Sequence, residues 1–453
     1  MKTQLLKRIV QFAIAFVITH ASYSQEATFE PLGFITDAPN AMTLAYGISN
    51  NGEIVVGASY SIIQNGPHAG TAVLQGFRWE NGEIAGIGML PTTDSTIPWS
   101  FATDISADGS TIVGYSMSDN AFSSGWEAVR WAADGQIEAL GDFVATDYWS
   151  ESKGVSGDGS VVVGLSYMTG HGFRWENGVL ESLSTSEIFF SNAGAISDDG
   201  TRIIGTAIIL ADNIEYAAIL EEGNIIEIAE VPIGGNIQPL NISGNGLFVV
   251  GEKYNSGSSS HGFIWSESDG FIELESLGGF TIQALAVSDD GSIVVGWSQD
   301  NVSDAHAFIW TEENGTQKLQ DVLENTYGLE LPGWTLTAAI DITPDGKTII
   351  GDGINPQGQQ EGWRIVLPAT MSSDNFIGAN TQLYPNPTTG VVFLETEGIV
   401  DNISVYNISS QKITIPEFQI EKSSIDLSDF SNGLYFVEVV TEKGKEVFKV
   451  IKK

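Results

Sequence analysis

Residues able to do chemistry are sparse in this sequence. It holds five histidines and no cysteine, which excludes thiol catalysis, Cys-ligated zinc and disulfide frameworks. Neither a Gly-x-Ser-x-Gly elbow nor a His-Glu-x-x-His pair occurs. Gly346-Lys347-Thr348 resembles the end of a phosphate loop, but Asp341 stands where that loop needs glycine. The stretch from Asp341 to Gly346, with Asp352 at the twelfth position, imitates a calcium loop without its full set of oxygen ligands. Turn chemistry explains it better. His171, His261 and His306 share one place in a repeat, and His68 lies apart in a loop. No nucleophile, base and orienting group can be assembled from these residues, so no catalytic residue, metal ligand or cofactor is expected.

Aromatic residues do recur at a fixed spacing. Trp99, Trp149 and Phe190 lie ten residues before a recurring glycine, and Trp334 lies twelve before another. Asp94, Asp147 and Glu151 stand near them. Flat rings with polar neighbours suit stacking on sugar faces or gripping a peptide. Trp99, Trp149, Phe190 and Trp334 are therefore candidate ligand contacts, with packing between repeats as the plainer use of the same rings. If a polysaccharide were cut rather than held, Asp147 and Glu151 would be the acid and base.

The elements that must position these rings follow from a repeat. One phrase returns seven times, beginning with Ile48 to Gly57 and ending with Ile342 to Gly351. Its turn glycines are Gly52, Gly109, Gly159, Gly200, Gly246, Gly291 and Gly346, spaced by 57, 50, 41, 46, 45 and 55 residues. Asp-Gly or Asn-Gly between apolar runs predicts a hairpin whose turn needs positive φ. A second phrase, such as Gly76-Phe-Arg-Trp79, Gly172-Phe-Arg-Trp175 or Ala307-Phe-Ile-Trp310, predicts a third strand. Trp79, Trp131, Trp175, Trp265 and Trp310 in that phrase read as core. A Gly-bearing turn then leads to a fourth strand, such as Gln136 to Gly141.

Four strands per unit at about 40 to 50 residues is the spacing of propeller blades, and seven lies within the usual blade number. In such a ring the loops leading into each first strand gather at one mouth of the channel. The seventh unit lacks a fourth strand of its own. Thr28-Phe-Glu-Pro-Leu-Gly33 matches that phrase, so the N-terminal segment is expected to close the ring.

The two ends read differently. Lys2, Lys7 and Arg8, then an apolar run from Ile9 to Ile18 and small residues around Ala21 to Ser24, form a secretory signal over residues 1–24. Its apolar run is shorter than the roughly 20 residues a membrane span needs, and no other stretch is apolar enough to cross. Net charge is −38, and residues 25–379 carry 47 acidic against 9 basic residues. Such a field repels nucleic acid and anionic lipid. Residues 369–379 are small and polar, as in a linker. From residue 380 to 453, alternating apolar residues between Pro, Asn and Gly turns predict a small Ig-like β-sandwich.

His306-Ala-Phe308, with His171-Gly-Phe173 and His261-Gly-Phe263 as near variants, resembles the extracellular HAF repeat family over about residues 40 to 365. That resemblance implies an exported repeat protein without an assigned activity. Four of seven units lack the His, so it implies no shared His chemistry. Tyr384-Pro-Asn-Pro387, Ile403-Ser-Val-Tyr-Asn407, Gly433-Leu-Tyr435 and the basic finish at Lys449, Lys452 and Lys453 resemble the type A sorting domain of the type IX secretion system of Bacteroidetes. This implies export by that machinery, then release or attachment at the outer-membrane surface. The expectation is an all-β chain: a signal peptide (1–24), a seven-bladed β-propeller (25–368), a linker (369–379) and a sorting sandwich (380–453). Its expected function is non-catalytic binding of a glycan or protein outside the cell; the alternative is a polysaccharide hydrolase or lyase.

Overall fold

The structure is a computed structural model. It describes residues 27–368 apart from 37–40, 94–95, 122–124, 145, 212 and 255–259. Beyond these it describes 382–384, 388–395, 400–407, 412–413, 420–421, 424–428, 430–431, 433–441 and 444–453. The segments expected to be a signal (1–24) and a linker (369–379) lie outside the described residues. The chain divides into two compact units, 1–368 and 369–453.

The first unit contains seven four-stranded antiparallel sheets. Their first strands are Thr43–Ile48, Ser100–Ile105, Ser150–Val155, Ile188–Ile196, Asn236–Ile242, Gly278–Val287 and Thr335–Ile342. Each packs beside the next, and the seventh packs beside the first. These contacts make a closed ring of seven blades, numbered here from the sheet that starts at Thr43, with the first strands innermost.

One turn is built seven times at the end of the inner strand. A hydroxyl two residues before the Asp or Asn (Ser49, Ser106, Ser156, Ser197, Ser243, Ser288, Thr343) donates to that side chain at 2.6–2.8 Å. The same oxygen accepts the backbone N–H that opens the second strand. Only the glycine takes positive φ, 70 to 74°. The turn is therefore longer than a two-residue Asp-Gly hairpin, because the Ser or Thr hydroxyl supplies a local alternative to the ladder.

The glycine that ends each repeated phrase has another cause. The inner strand bulges beside it in all seven blades, and the bulge turns a carbonyl toward the second strand. A Cβ on Gly57, Gly114, Gly164, Gly251, Gly296 or Gly351 would lie 1.9–2.0 Å from that oxygen. Phe77, Phe173, Phe263 and Phe308 of the third strands lie over the same glycines and are fully buried.

Seams between blades are polar as well as packed. Arg78, Arg202 and Arg364 each reach the turn-glycine carbonyl of the following blade, at 2.9, 3.0 and 2.7 Å. Asp104 accepts from its neighbour Ile105 N–H and from Val155 N–H of the next blade. Asp341 likewise accepts from Ile342 and Ile48, and Asp352 from Ala45, joining blade 7 to blade 1.

The N-terminal strand Thr28–Pro31 is the fourth strand of blade 7. It runs antiparallel to Gln360–Val366 with Phe29 opposite Ile365. Leu32 N–H donates to Gly362 O, and Gly33 N–H to the Glu361 carboxylate. The ring is closed as the sequence leads one to expect. One element departs from that expectation: a short helix, Leu319–Asn325, follows blade 6 and buries Leu319 and Leu323 in the core between blades 6 and 7.

The second unit consists of two four-stranded antiparallel sheets. Val392 and Leu394 in one, and Val405, Val437 and Val439 in the other, belong to one buried cluster.

Candidate functional site

The loops that precede the inner strands end in residues fixed by backbone bonds. Trp99 O accepts from Met117 N–H and the Ser116 hydroxyl, and Trp149 O accepts from Tyr167 N–H. The Asp142 carboxylate accepts from Trp149 N–H and the Ser166 hydroxyl, holding the second loop down. Trp99 and Trp149 thus occupy matching places on blades 2 and 3, half-buried.

Trp126, which leads into the third strand of blade 2, stands between them. Its ring centroid is 5.9 Å from that of Trp99 and 5.5 Å from that of Trp149, at 64° and 77°. Phe101 and Tyr115, opposite each other in the sheet, stack at 5.2 Å and 9°. Trp149 and Tyr167 stack at 5.3 Å and 29°. Six rings therefore form one continuous cluster over two blades. Tyr167 is 39% exposed, and the exposed Ile97 and Met168 extend its apolar margin.

The Glu151 carboxylate, at the start of blade 3, accepts from the Tyr167 hydroxyl at 2.6 Å. Burial raises the Tyr115 and Tyr167 hydroxyls above their ordinary value, and the charge of Glu151 adds to both. Tyr46, on blade 1, is pushed up to about 12 by burial and then by Asp352 and Glu151. All three phenols are neutral hydrogen-bonding groups at physiological pH. Rings, neutral hydroxyls and a hydrogen-bonded carboxylate are tools for holding a ligand. Asp147 is exposed, has φ 62°, and accepts from Thr146 at 3.3 Å. Among the described residues no hydrogen bond joins it to Glu151.

The four expected ligand contacts divide. Trp99 and Trp149 come together through Trp126. Phe190 does not reach the mouth: it is fully buried in the core of blade 4. Blade 4 has Ala218 opposite Gly205, where blades 1 and 3 have Phe77 and Phe173 opposite their glycines. Phe190 fills that gap, its ring edge 2.7 Å from where a Gly205 Cβ would be. Trp334 packs instead on Phe29 of the closing strand, 4.9 Å between centroids at 71°, and against the core of blade 7. Besides the bulge that every blade has, its inner strand carries a second between Leu336 and Ala338, which adds one residue to the spacing to Gly346. Asp94 lies outside the described residues.

Sequence reasoning missed Phe101, Tyr115, Trp126 and Tyr167. The repeated histidine place also has a visible role. His171 hydrogen-bonds Ser182 at 3.2 Å, and His306 lies within 3.0–3.1 Å of Lys318 and Asp300. Glu361, at the same place in blade 7, holds Gly33. In these blades the position ties the third strand to its outer neighbour.

The other end of the channel is crossed by a hydrogen bond. Asn50 Nδ2 donates to the Asp198 carboxylate at 2.7 Å, from blade 1 to blade 4, beside a cavity of about 80 Å³ that Asp104 and Asp341 also line. Burial, then the charge of Asp341, raises Asp104 to about 8; burial raises Asp341 to about 7. No three His, Asp or Glu side chains among the described residues are arranged to hold a metal ion.

Comparison with known proteins decides the character of the tail. Residues 382–453 match the secretion system C-terminal sorting domain. A sorting domain of this kind indicates a secreted or cell-surface protein handled by the type IX machinery. No helix among the described residues is long and apolar enough to cross a membrane. No curated protein matches the sequence. Among solved structures, the β-propeller domain of the trilobed protease from Pyrococcus furiosus is similar at 9% identity and a TM-score of 0.43, over 72% of this chain and 95% of that one. The β-propeller domain of Cps50 (Swd1) from Myceliophteria thermophila is similar at 12% identity and a TM-score of 0.41, over 72% and 96%. TolB from Acinetobacter baumannii is similar at 12% identity and a TM-score of 0.38, over 70% and 80%.

Proposed function

We propose that the chain is an exported HAF-repeat propeller that binds a glycan or protein, without catalysis, at the aromatic mouth of blades 2 and 3. The observation that carries this reading is the six-ring cluster from Trp99 to Tyr167, half-exposed at one end of a closed ring. Large rings spent on a rim, rather than in a core, are characteristic of recognition surfaces. In this reading residues 1–24 are removed on export, the propeller spans 25–368, and a linker (369–379) leads to a type A sorting sandwich from residue 380. The buried cluster shared by its two sheets supports the sandwich. The sorting domain delivers the propeller to the outer-membrane surface or the medium.

A glycan and protein screen on the mature chain tests the proposal. Trp99→Ala and Trp149→Ala should abolish binding of the ligand found while the melting temperature shows the ring intact. Unchanged affinity in both variants rejects this mouth as the site.

A further inference from the structure

Two cavities flank the Pro98–Trp99 pair at the edge of the aromatic cluster. One, of about 300 Å³, lies between the 63–71 loop of blade 1 and the 87–99 loop, and is lined by His68, Met89, Pro91, Thr92 and Pro98. The other, of about 320 Å³, is lined by Tyr60, Leu74, Trp99 and Phe101. Both loops are braced. Gly70 N–H donates to Ile63 O at 2.8 Å, and Leu90 N–H to the Ser116 hydroxyl at 3.1 Å. From Trp99 the ring cluster continues through Trp126 and Trp149 to Tyr167, with centroids 5.9, 5.5 and 5.3 Å apart. The His68 Nε2 atom is shielded from water and has no hydrogen-bond partner, an uncompensated polar group at the far end of this path.

Three observations narrow the occupant. Neither cavity has a Lys or Arg in its lining, and the chain carries a net charge of −38, so an anionic ligand is disfavoured. The mouth presents strand ends rather than an unpaired strand edge, so a peptide has no ladder to join. The polar groups on offer are neutral phenols, a threonine hydroxyl, an imidazole and one carboxylate, which match hydroxyls.

Resting on the binding reading above, we infer that the ligand is an extended neutral oligosaccharide. It runs from the cavity lined by His68 over Trp99 and Trp126 to Trp149 and Tyr167, with its terminal sugar packed against the His68 side of that cavity. Several sugar subsites follow, so affinity grows with chain length.

Calorimetry of the mature chain with cello-, xylo-, manno- and laminari-oligosaccharides, from disaccharide to hexasaccharide, tests this. In one series the affinity should rise by about tenfold or more with length, and His68→Ala should remove about fivefold at the hexasaccharide. His68→Gln should restore part of the loss. Affinity that is flat beyond the disaccharide, or a hexasaccharide indifferent to His68→Ala, overturns the extended path and leaves the binding mouth standing. Binding in no series overturns the saccharide assignment, while the protein arm of the screen still tests the mouth. Oligosaccharide binding that Trp126→Ala does not weaken places the ligand elsewhere and overturns both.

Discussion

The two ends of the ring solve opposite problems. At the turn end, seven blades repeat one arrangement of hydroxyl, carboxylate or amide, and glycine, and each copy satisfies its own backbone. At the mouth the blades diverge. Blades 2 and 3 share a sheet of rings, blade 4 draws its aromatic inward, and blade 7 uses its tryptophan to hold the closing strand. Uniformity marks what every blade needs to fold, and divergence marks where a blade is free to meet something else.

The largest break should come from the closure. Removing residues 25–34 deprives blade 7 of its outer strand and should lower the melting temperature by roughly 10 °C or more, read by calorimetry. An unchanged value would mean that six complete blades and one open one suffice. A single methyl group tests the uniform features next. Gly164→Ala places a Cβ about 2.0 Å from Glu151 O and should cost about 3 kcal/mol or more in denaturant unfolding. Gly178→Ala, whose Cβ would meet nothing within 4 Å, should cost less, only the strain of its positive φ.

Two tryptophans then separate holding the fold from holding a ligand. Trp126→Ala should weaken ligand binding by about tenfold or more, whereas Trp334→Ala should lower the melting temperature and leave affinity unchanged. The reverse result would exchange the roles of the two regions.

The smallest effect is a dependence on pH. Asp104, Asp341 and Asp352 have ordinary values of 3.8 that rise to about 8, 7 and 7 in the folded ring, chiefly through burial. The native state therefore holds protons that the unfolded chain releases first. Their contribution is fully present below the ordinary value and is lost as pH rises through about 7 to 8. Relief of the −38 charge acts with the same sign. Asp104→Asn isolates the carboxylate and should flatten the fall in stability between about pH 5 and about pH 8. An unaltered slope would assign the whole effect to net charge.

Much of the fold could be read directly from the repeated phrases. The period gave blade number, and the unmatched Thr28–Gly33 segment gave the closure. The Ser or Thr two residues before each Asp or Asn was equally visible, but its meaning depends on a hydrogen bond that periodicity does not describe. The site was only half legible. Trp99 and Trp149 announce themselves by spacing along one kind of loop. Tyr115 lies on the second strand of blade 2, and Trp126 and Tyr167 flank strands; they meet Trp99 and Trp149 through pairing within each blade and through the packing of blade 2 on blade 3. Phe190 shares the spacing of Trp99 but not its surroundings. The clue was Ala217-Ala-Ile-Leu220, a third strand without the phenylalanine found in blades 1, 3, 5 and 6, which left a hole that the nearest ring filled. In the linking helix, Leu319, Val322 and Leu323 do carry a helical spacing, but seven residues are too few to stand out among strands.

The closing strand has a consequence in time. Gly33 bonds Glu361 across 328 positions of the chain, and Arg364 bonds Glu30 across 334. Blades 1 to 6 can each zip up from neighbouring residues, as local hairpins do. Blade 7 must wait for the polypeptide to bring its opposite reaches together, an encounter whose entropic cost grows with the loop it shuts. Sealing is therefore expected to be the last and slowest step of assembly.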